Sequence, residues 1–371
     1  MPAGRNCLPG VLWRTGMKAL IAMSGGVDSS VAACFMKEKG YTGLGITMKL
    51  LGHAFTQEET GHRCCSLDDV EDARRVARQL DMPYYVFNFS RCFQDQVIDP
   101  WVQAYENGQT PNPCILCNRE LKFGKLFQKA RELGCSVMAT GHYARVTYEK
   151  TTGRWLLKKA MDQAKDQSYF LYTMTQEQLQ HTVFPLGHLT KAQVRQIAAQ
   201  HGFANAHKHD SQDICFIGKE GCAGFLSSHA KTPCPKGHFV DREGHILGTH
   251  EGIWQYTIGQ RRGLYLAAGV PLYVCAIDPV AHHVVVGPEQ DLYSTTLTAR
   301  NINLIALPKL ERPMRLQAKI RSRHPEQWAT VIQTDEDTLQ VVFDVPQRAI
   351  TKGQAVVLYD GDVVVGGGTI W

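Results

Sequence analysis

Ser24-Gly25-Gly26-Val27-Asp28-Ser29-Ser30 follows the apolar run 19–23 and precedes a helical pattern, so the local order reads strand, glycine turn, helix. Two adjacent glycines let the backbone take positive φ and let a ligand approach closely. Ser and Asp can cap a helix whose N–H groups and dipole favour an anion. The chemistry expected at this turn is phosphate binding. A Walker loop ends in Gly-Lys-Ser/Thr, which this stretch lacks, so the lysine-bearing loop of kinases and GTPases is excluded.

Working outward, strand and helix patterns alternate from 17 to about 217, which argues for an α/β domain with an open parallel sheet and helices on both faces. Residues 20–23 read as the first strand, 30–39 as the first helix and 43–48 as the second strand. Ligands in such sheets sit beyond the carboxyl ends of the strands, which places a nucleotide at the loop with Met48 facing its base. Ser66 and Asp69 make a capping-box-like start, and Val70, Ala73, Val76, Ala77 and Leu80 follow at helical spacing, giving a scaffold helix. Cys64 and Cys65 just before it are read as packing residues.

The 371 residues suffice for two or three domains, and 44% apolar with 20% charged residues is ordinary for a soluble globular protein. A net charge of +5 is a mild basic excess, compatible with nucleic acid without arguing for it. No run approaches a membrane span. Twelve cysteines without a secretory signal point to a reducing, cytoplasmic setting, where thiols serve packing, metal binding or catalysis. Residues 1–16 carry Arg5 and Arg14 and no acid; they are expected to form a disordered tail, with Met17 a second candidate start.

Two prolines in Pro111-Asn112-Pro113-Cys114-Ile115-Leu116-Cys117-Asn118 argue against a helix and hold the chain extended before Cys117, and 121–133 reads as a helix with Lys122, Lys125, Lys129 and Arg131. A thiol near a helix N-terminus gains thiolate character, so Cys117 reads as a reactive cysteine. Half of a zinc site with Cys114, or plain packing, are the competing readings; Cys234 and His238 lie too far along the chain to complete such a site convincingly. Strand 136–140 runs into Gly141-His142-Tyr143-Ala144-Arg145, a second edge for a nucleotide pocket, although a lone histidine such as His142 is usually structural. Lys165-Asp166-Gln167-Ser168-Tyr169 follows a hairpin-like segment. Ser211-Gln212-Asp213-Ile214-Cys215-Phe216-Ile217 puts Cys215 in an apolar strand, which by itself reads as a core thiol.

Beyond 218 the pattern turns to short strands and glycine, with Arg261 and Arg262 on a glycine-bounded loop that suits phosphate or an ion pair. From about 292, alternation such as Leu316, Ala318 and Ile320 against Arg315, Gln317 and Lys319 continues through 331–333, 339–343, 355–359 and 363–370, consistent with a small closed barrel. The expected partition is a tail at 1–16, an α/β domain at 17–217, a small, mostly β central domain at 218–291 and a C-terminal β-barrel at 292–371.

Taken in order, SGGVDSS, TPNPCILCNRELKF, TGHYAR, KDQSYFLY, SQDICFI and YTIGQRRGL resemble the tRNA-specific 2-thiouridylases, a PP-loop family. The resemblance implies enzymes that use ATP and Mg2+ to adenylate the C2 oxygen of the wobble uridine of tRNAs, by family resemblance the Lys, Glu and Gln acceptors. That oxygen is then replaced with sulfur carried as a cysteine persulfide, loaded by a persulfide donor or relay protein. It assigns the ATP site to Ala22, Met23, Ser24, Gly25, Gly26, Val27, Asp28 and Ser29 with Met48 and Gly141, the nucleophile to Cys117 and the persulfide to Cys215, with a transient Cys117–Cys215 disulfide. Asn112, Pro113 and Cys114 correspond to target-base contacts; His142, Lys165, Asp166 and Gln167, then Arg321, Ser322 and Gln354, correspond to further tRNA contacts. Cys114 departs from the family's usual Asp, and Ser322 from its aromatic residue. Asp28 is a candidate to help hold the metal, and Cys114, Cys117 and Cys215 together would suffice for an iron–sulfur cluster with one open iron. The rival readings are a PP-loop amide synthetase or ligase, an iron–sulfur-dependent thiolase, and a noncatalytic tRNA-binding protein.

Overall fold

The computed structural model describes residues 16–52, 67–210, 214–230 and 234–371. The expectations for the 1–15 tail, Cys64, Cys65, Ser66 and Ser211-Gln212-Asp213 lie outside the described residues.

β1 (Lys18–Ala22), α1 (Val27–Glu38), β2 (Thr42–Lys49), α2 (Leu67–Gln79), β3 (Tyr84–Asn88), β4 (Val137–Thr140) and the short β7 (Thr182–Val183) build a sheet in the order β3-β2-β1-β4-β7. Every pairing in it is parallel. Strand alternation sorts the core: Ala19 and Ile21 of β1 pack with α1, α2 and the Lys191–Gln200 helix on one face. Leu20 and Met138 pack on the other face with Phe123, Leu126 and Phe127. The sheet is therefore covered on both sides, as its apolar strands require.

The second face is covered by one helical run from Pro113 to Glu132. The prolines do not forbid it. Pro113 takes the first helical position, where a missing N–H costs nothing, and Asn112 caps it by accepting from the Cys114 N–H at 3.0 Å. From Cys117 to Leu126 the run widens to π-helical spacing, a form found mostly in short pieces at functional sites. Gly124 permits this turn, since a Cβ there would stand 2.8 Å from the Arg119 carbonyl oxygen.

A central sheet, β10-β11-β8-β9, is made of β8 (Gly237–Val240), β9 (Ile246–His250), β10 (Tyr273–Asp278) and β11 (His283–Gly287). Its Phe239, Val274, Val284 and Val286 share one core with Phe93, Trp101, Cys117 and Leu121 of the first domain. The last six strands are β12 (Tyr293–Leu304), β13 (Met314–Lys319), β14 (Gln327–Asp335), β15 (Thr338–Arg348), β16 (Ala355–Asp360) and β17 (Val363–Ile370). They run β12-β15-β14-β13-β16-β17 and close through β12–β17, making the expected barrel. A hairpin of the first domain, β5 (Ala144–Glu149) and β6 (Arg154–Lys159), joins the barrel sheet where Lys158 pairs with Val363. Hydrogen bonding thus crosses the sequence boundary between the domains.

Candidate active site

Between β1 and α1 the glycine loop is tightened from several sides. α1 starts at Val27, three residues before the sequence pattern suggested, with Gly26 as its N-cap and no side-chain cap. The serines turn inward instead: Ser29 and Ser30 donate their hydroxyls to the Gly26 carbonyl at 2.9 and 3.1 Å, and the Ser24 N–H donates to Ser29 Oγ at 3.1 Å. Gly25 has φ +77, and a Cβ there would meet the Asp69 carbonyl oxygen of α2 at 2.2 Å. At the end of β4, a Cβ on Gly141 would stand 2.7 Å from the Ser29 nitrogen. Both glycines thus serve close backbone approach. Asn205, which sequence reasoning missed, is buried and donates to Gly25 O and Ser30 Oγ, each at 2.9 Å.

Asp28, expected to help hold a metal, has a different set of partners. Lys191 Nζ donates to both of its carboxylate oxygens at 2.7 and 2.8 Å, and the Tyr143 hydroxyl donates to Oδ1 at 2.8 Å. Both Asp28 carboxylate oxygens are thus engaged by the Lys191 ammonium. Lys191 also pairs with Asp210 at 2.8 Å, and Asp210 takes Lys165 at 2.7 Å and Arg195 at 3.1 Å. Burial pushes the Asp210 carboxyl up, but the hydrogen bonds from Lys165 and Lys191 outweigh it and hold the group below the usual carboxylate range. Burial, then the Asp28 charge, pushes the Tyr143 phenol far up, so it stays a donor.

The other TGHYAR and KDQ residues act mainly from within. His142, expected at tRNA, is 9% exposed, lies between Phe123 and Phe184 at ring separations of 5.8 and 5.9 Å, and hydrogen-bonds Thr140 Oγ1 at 2.7 Å. Burial, then Lys122, holds its imidazole well below the ordinary histidine range, so it is neutral. Its place is in the core, because β4 ends inside the sheet. Gln167 Oε1 accepts from the Tyr143 N–H at 2.9 Å, which aims Tyr143 at Asp28. Asp166 accepts from the Ala160 N–H and the Ser168 hydroxyl at 2.9 and 2.7 Å. Met48 of β2 packs where the second-face core meets the core shared with the central domain.

Cys117 and Cys215, far apart in sequence, pack in the same core, Cys117 buried and Cys215 half-buried. Cys215 is not in a strand. The apolar run turns back through the Ile217 N–H to Ile214 O bond at 3.1 Å. Phe216 drives that turn, its ring held edge-on by Phe93 and Trp101 at 5.6 and 5.4 Å, a burial contributing roughly 1.5–3 kcal/mol. Cys114 is exposed. Among the described residues, the groups with metal-ligand spacing are Cys34–Glu38–His201 and Asp241–Glu243–His245. Cys114, Cys117 and Cys215 are not among these groups of single-ion spacing.

The barrel completes the site. Gln354 Nε2 donates to the Thr110 carbonyl at 2.6 Å, and the Thr110 N–H donates to Lys352 O at 2.9 Å. Gly353, φ +87, makes room, since a Cβ would meet Gln109 and Thr110 at 3.1 Å. Arg321, Ser322 and Gln354 therefore line one cavity of about 260 Å3 with Thr110, Thr257 and Thr351. Arg321 is oriented by the Ala349 carbonyl and Thr351 hydroxyl at 2.7 and 2.8 Å. Arg261 and Arg262 stand exposed beside Gly259, whose backbone comes close to Ala349 of the barrel.

A glycine-turn α/β domain, two cysteines that pack in one core and two β domains packed against the 110–132 segment define the class of a nucleotide-dependent enzyme built from three domains. Residues 17–219 match the tRNA methyl transferase HUP domain, 223–288 the tRNA methyl transferase PRC-barrel domain and 294–370 the aminomethyltransferase beta-barrel domain. A tRNA-specific 2-thiouridylase MnmA of Clostridioides difficile (strain 630) is 50% identical over 95% of this chain and 98% of its own length. The proteins of that name from Moorella thermoacetica and Koribacter versatilis are 50% and 49% identical over 95% and 94% of this chain, and 98% of theirs. The chain belongs to the tRNA-specific 2-thiouridylase family. A solved 4-thiouridine synthetase–RNA complex with bound ATP aligns over 54% of this chain and 44% of that one, at 18% identity and a TM-score of 0.35, too low to bear on the argument.

Proposed function

We propose that this protein is a tRNA uridine 2-sulfurtransferase that couples ATP cleavage to the exchange of the C2 oxygen of a wobble uridine for sulfur. What carries the reading is Cys117 and Cys215 in one core beside the 110–114 loop, in a chain about half identical to 2-thiouridylases from end to end. Uridine O2 is a poor leaving group, and coupling it to AMP makes it a good one. Backbone N–H groups of the Ser24–Ser29 turn and the α1 N-terminus suit the phosphates; Met48 and Gly141 border the nucleotide. Lys191 fixes Asp28 at the loop. Magnesium, when carried by the phosphates, would neutralise charge on the leaving pyrophosphate.

Asn112, Pro113 and Cys114 form the capped turn that would meet the target base. Arg321, Ser322 and Gln354, with Arg261 and Arg262, would meet the tRNA backbone, and Lys165 lies at the loop's edge. In this reading Cys215 carries the persulfide. Its outer sulfur attacks C2 and AMP departs with O2, while the Cys117 thiolate attacks the remaining S–S bond and closes a transient Cys117–Cys215 disulfide that a cellular thiol reduces. The alternative order, in which Cys117 first releases sulfide, uses the same two thiols. The substrates proposed are the Lys, Glu and Gln acceptors, the sulfur comes from a persulfide donor or relay protein, and the setting is cytoplasmic. The described residues contain no helix long and apolar enough to cross a membrane.

The test is incubation of the purified protein with ATP, magnesium, a persulfide donor and unmodified tRNA, followed by mass spectrometry of the digested nucleosides. The expected product is 2-thiouridine, formed with AMP and pyrophosphate. Methylated nucleosides and no thiolated one would instead favour the activity named by the domain families.

A further inference from the structure

At the end of α1 remote from the loop lies a second group of reactive side chains. Cys34 Sγ is 3.6 Å from Glu38 Oε1 and 3.5 Å from His201 Nε2, and that Nε2 is 3.5 Å from Glu38 Oε1. Cys34 and Glu38 share one face of α1 at a spacing of four, and His201 caps the C-terminus of the Lys191–Gln200 helix. Thiol, carboxylate and imidazole thus form a nearly equilateral triangle.

A tetrahedral zinc ion with Zn–S of about 2.3 Å and Zn–N or Zn–O of about 2.0–2.2 Å has ligand-to-ligand edges of about 3.3–3.7 Å. The triangle has those edges before any ion is added. Cys34 is 2% exposed and forms the floor. The Glu38 and His201 side chains, 51% and 40% exposed, leave a way in and a fourth position for water. The supports are rigid: both helices pack in one core, and the His201 ring stacks on Phe203 at 5.6 Å.

We propose that Cys34, Glu38 and His201 form a zinc site that clamps together the far ends of the two helices whose near ends bring Asp28 to Lys191. Thiolate with imidazole selects zinc over magnesium or calcium. Binding replaces the S–H bond of Cys34 with a Zn–S bond and releases one proton to solvent, with no change of oxidation state. The proposal stands apart from the thiouridylase reading, since none of its residues touches the loop or the thiol pair.

The reduced, chelator-stripped full-length protein is titrated with Co2+ and then Zn2+. The expected result is a thiolate-to-cobalt charge-transfer band that zinc discharges, retained in a Cys117→Ser/Cys215→Ser double variant and lost in Cys34→Ser. His201→Ala, which removes a half-exposed ligand together with its stack on Phe203, should weaken zinc affinity about tenfold or more. Zinc should raise the melting temperature of the wild type and not of either ligand variant. No band in the wild type, a band that survives in Cys34→Ser, or one that disappears only with Cys117 and Cys215 would overturn the proposal.

Discussion

Lys191 Nζ stands 2.7 Å from Asp28 Oδ1 and 2.8 Å from Oδ2, across 163 residues of sequence, and the same ammonium pairs with Asp210. One cation therefore ties the first turn of α1 to the segment leading toward Cys215. Lys191→Met would leave two partly buried carboxylates without their shared ammonium. The expected costs are about 2–3 kcal/mol in urea unfolding and at least a tenfold fall in tRNA-dependent pyrophosphate release, partly recovered in Lys191→Arg. Unchanged values for both would remove Lys191 from the account.

The glycines of the loop give a sharper separation of stability from function. Gly141→Ala forces a Cβ against the Ser29 nitrogen, and Gly25→Ala adds a Cβ to a left-handed residue against Asp69. Each should abolish ATP binding measured by calorimetry, with Gly25→Ala costing more stability because strain and overlap combine. Either variant binding ATP normally would mean the loop is not the nucleotide site.

The Asp210 carboxyl is held below the ordinary aspartate value of about 3.9, so its linked stability is fully present above that value and is lost as pH falls through the lower, folded value. The wild type should therefore be more stable than Asp210→Asn by a constant margin at neutral and mildly acidic pH, and the margin should shrink only below about pH 4. Urea unfolding of both proteins across this range measures it. A margin that shrinks between pH 6 and 8 would assign it to another group.

Gln354 touches Thr110 and no part of the nucleotide loop. Gln354→Ala should raise KM for tRNA several-fold while ATP affinity stays unchanged, because it removes one of the two hydrogen bonds that hold Thr110, at the start of the segment carrying Cys114 and Cys117, against the barrel. Steady-state thiolation at varied tRNA checks this; equal effects on ATP and tRNA would contradict it.

Much of the architecture was legible because period-2 and period-3.6 patterns switch cleanly along the chain, and the barrel strands alternate openly. The loop was legible because SGGVDSS is local chemistry. The Thr190-x-x-Gln193 capping box marks the start of a helix, yet nothing in the chain says that Lys191 behind that cap meets Asp28, because that contact depends on how the sheet is wound. Pro113 was misjudged as a helix breaker because at the first helical position it is a helix former. Cys215 was misplaced in a strand because an apolar run carries no sign that Phe216 folds it into an aromatic nest. Gly124 was silent in sequence, its role emerging only from the widened turn after Cys117.

The most direct measurement is the amount of 2-thiouridine formed per enzyme on unmodified tRNA by Cys117→Ser and Cys215→Ser beside the wild type, with tRNA-dependent pyrophosphate release followed in the same tubes. The account predicts that both variants still release pyrophosphate and that neither makes 2-thiouridine. Thiolation by Cys215→Ser at the wild-type rate would contradict it.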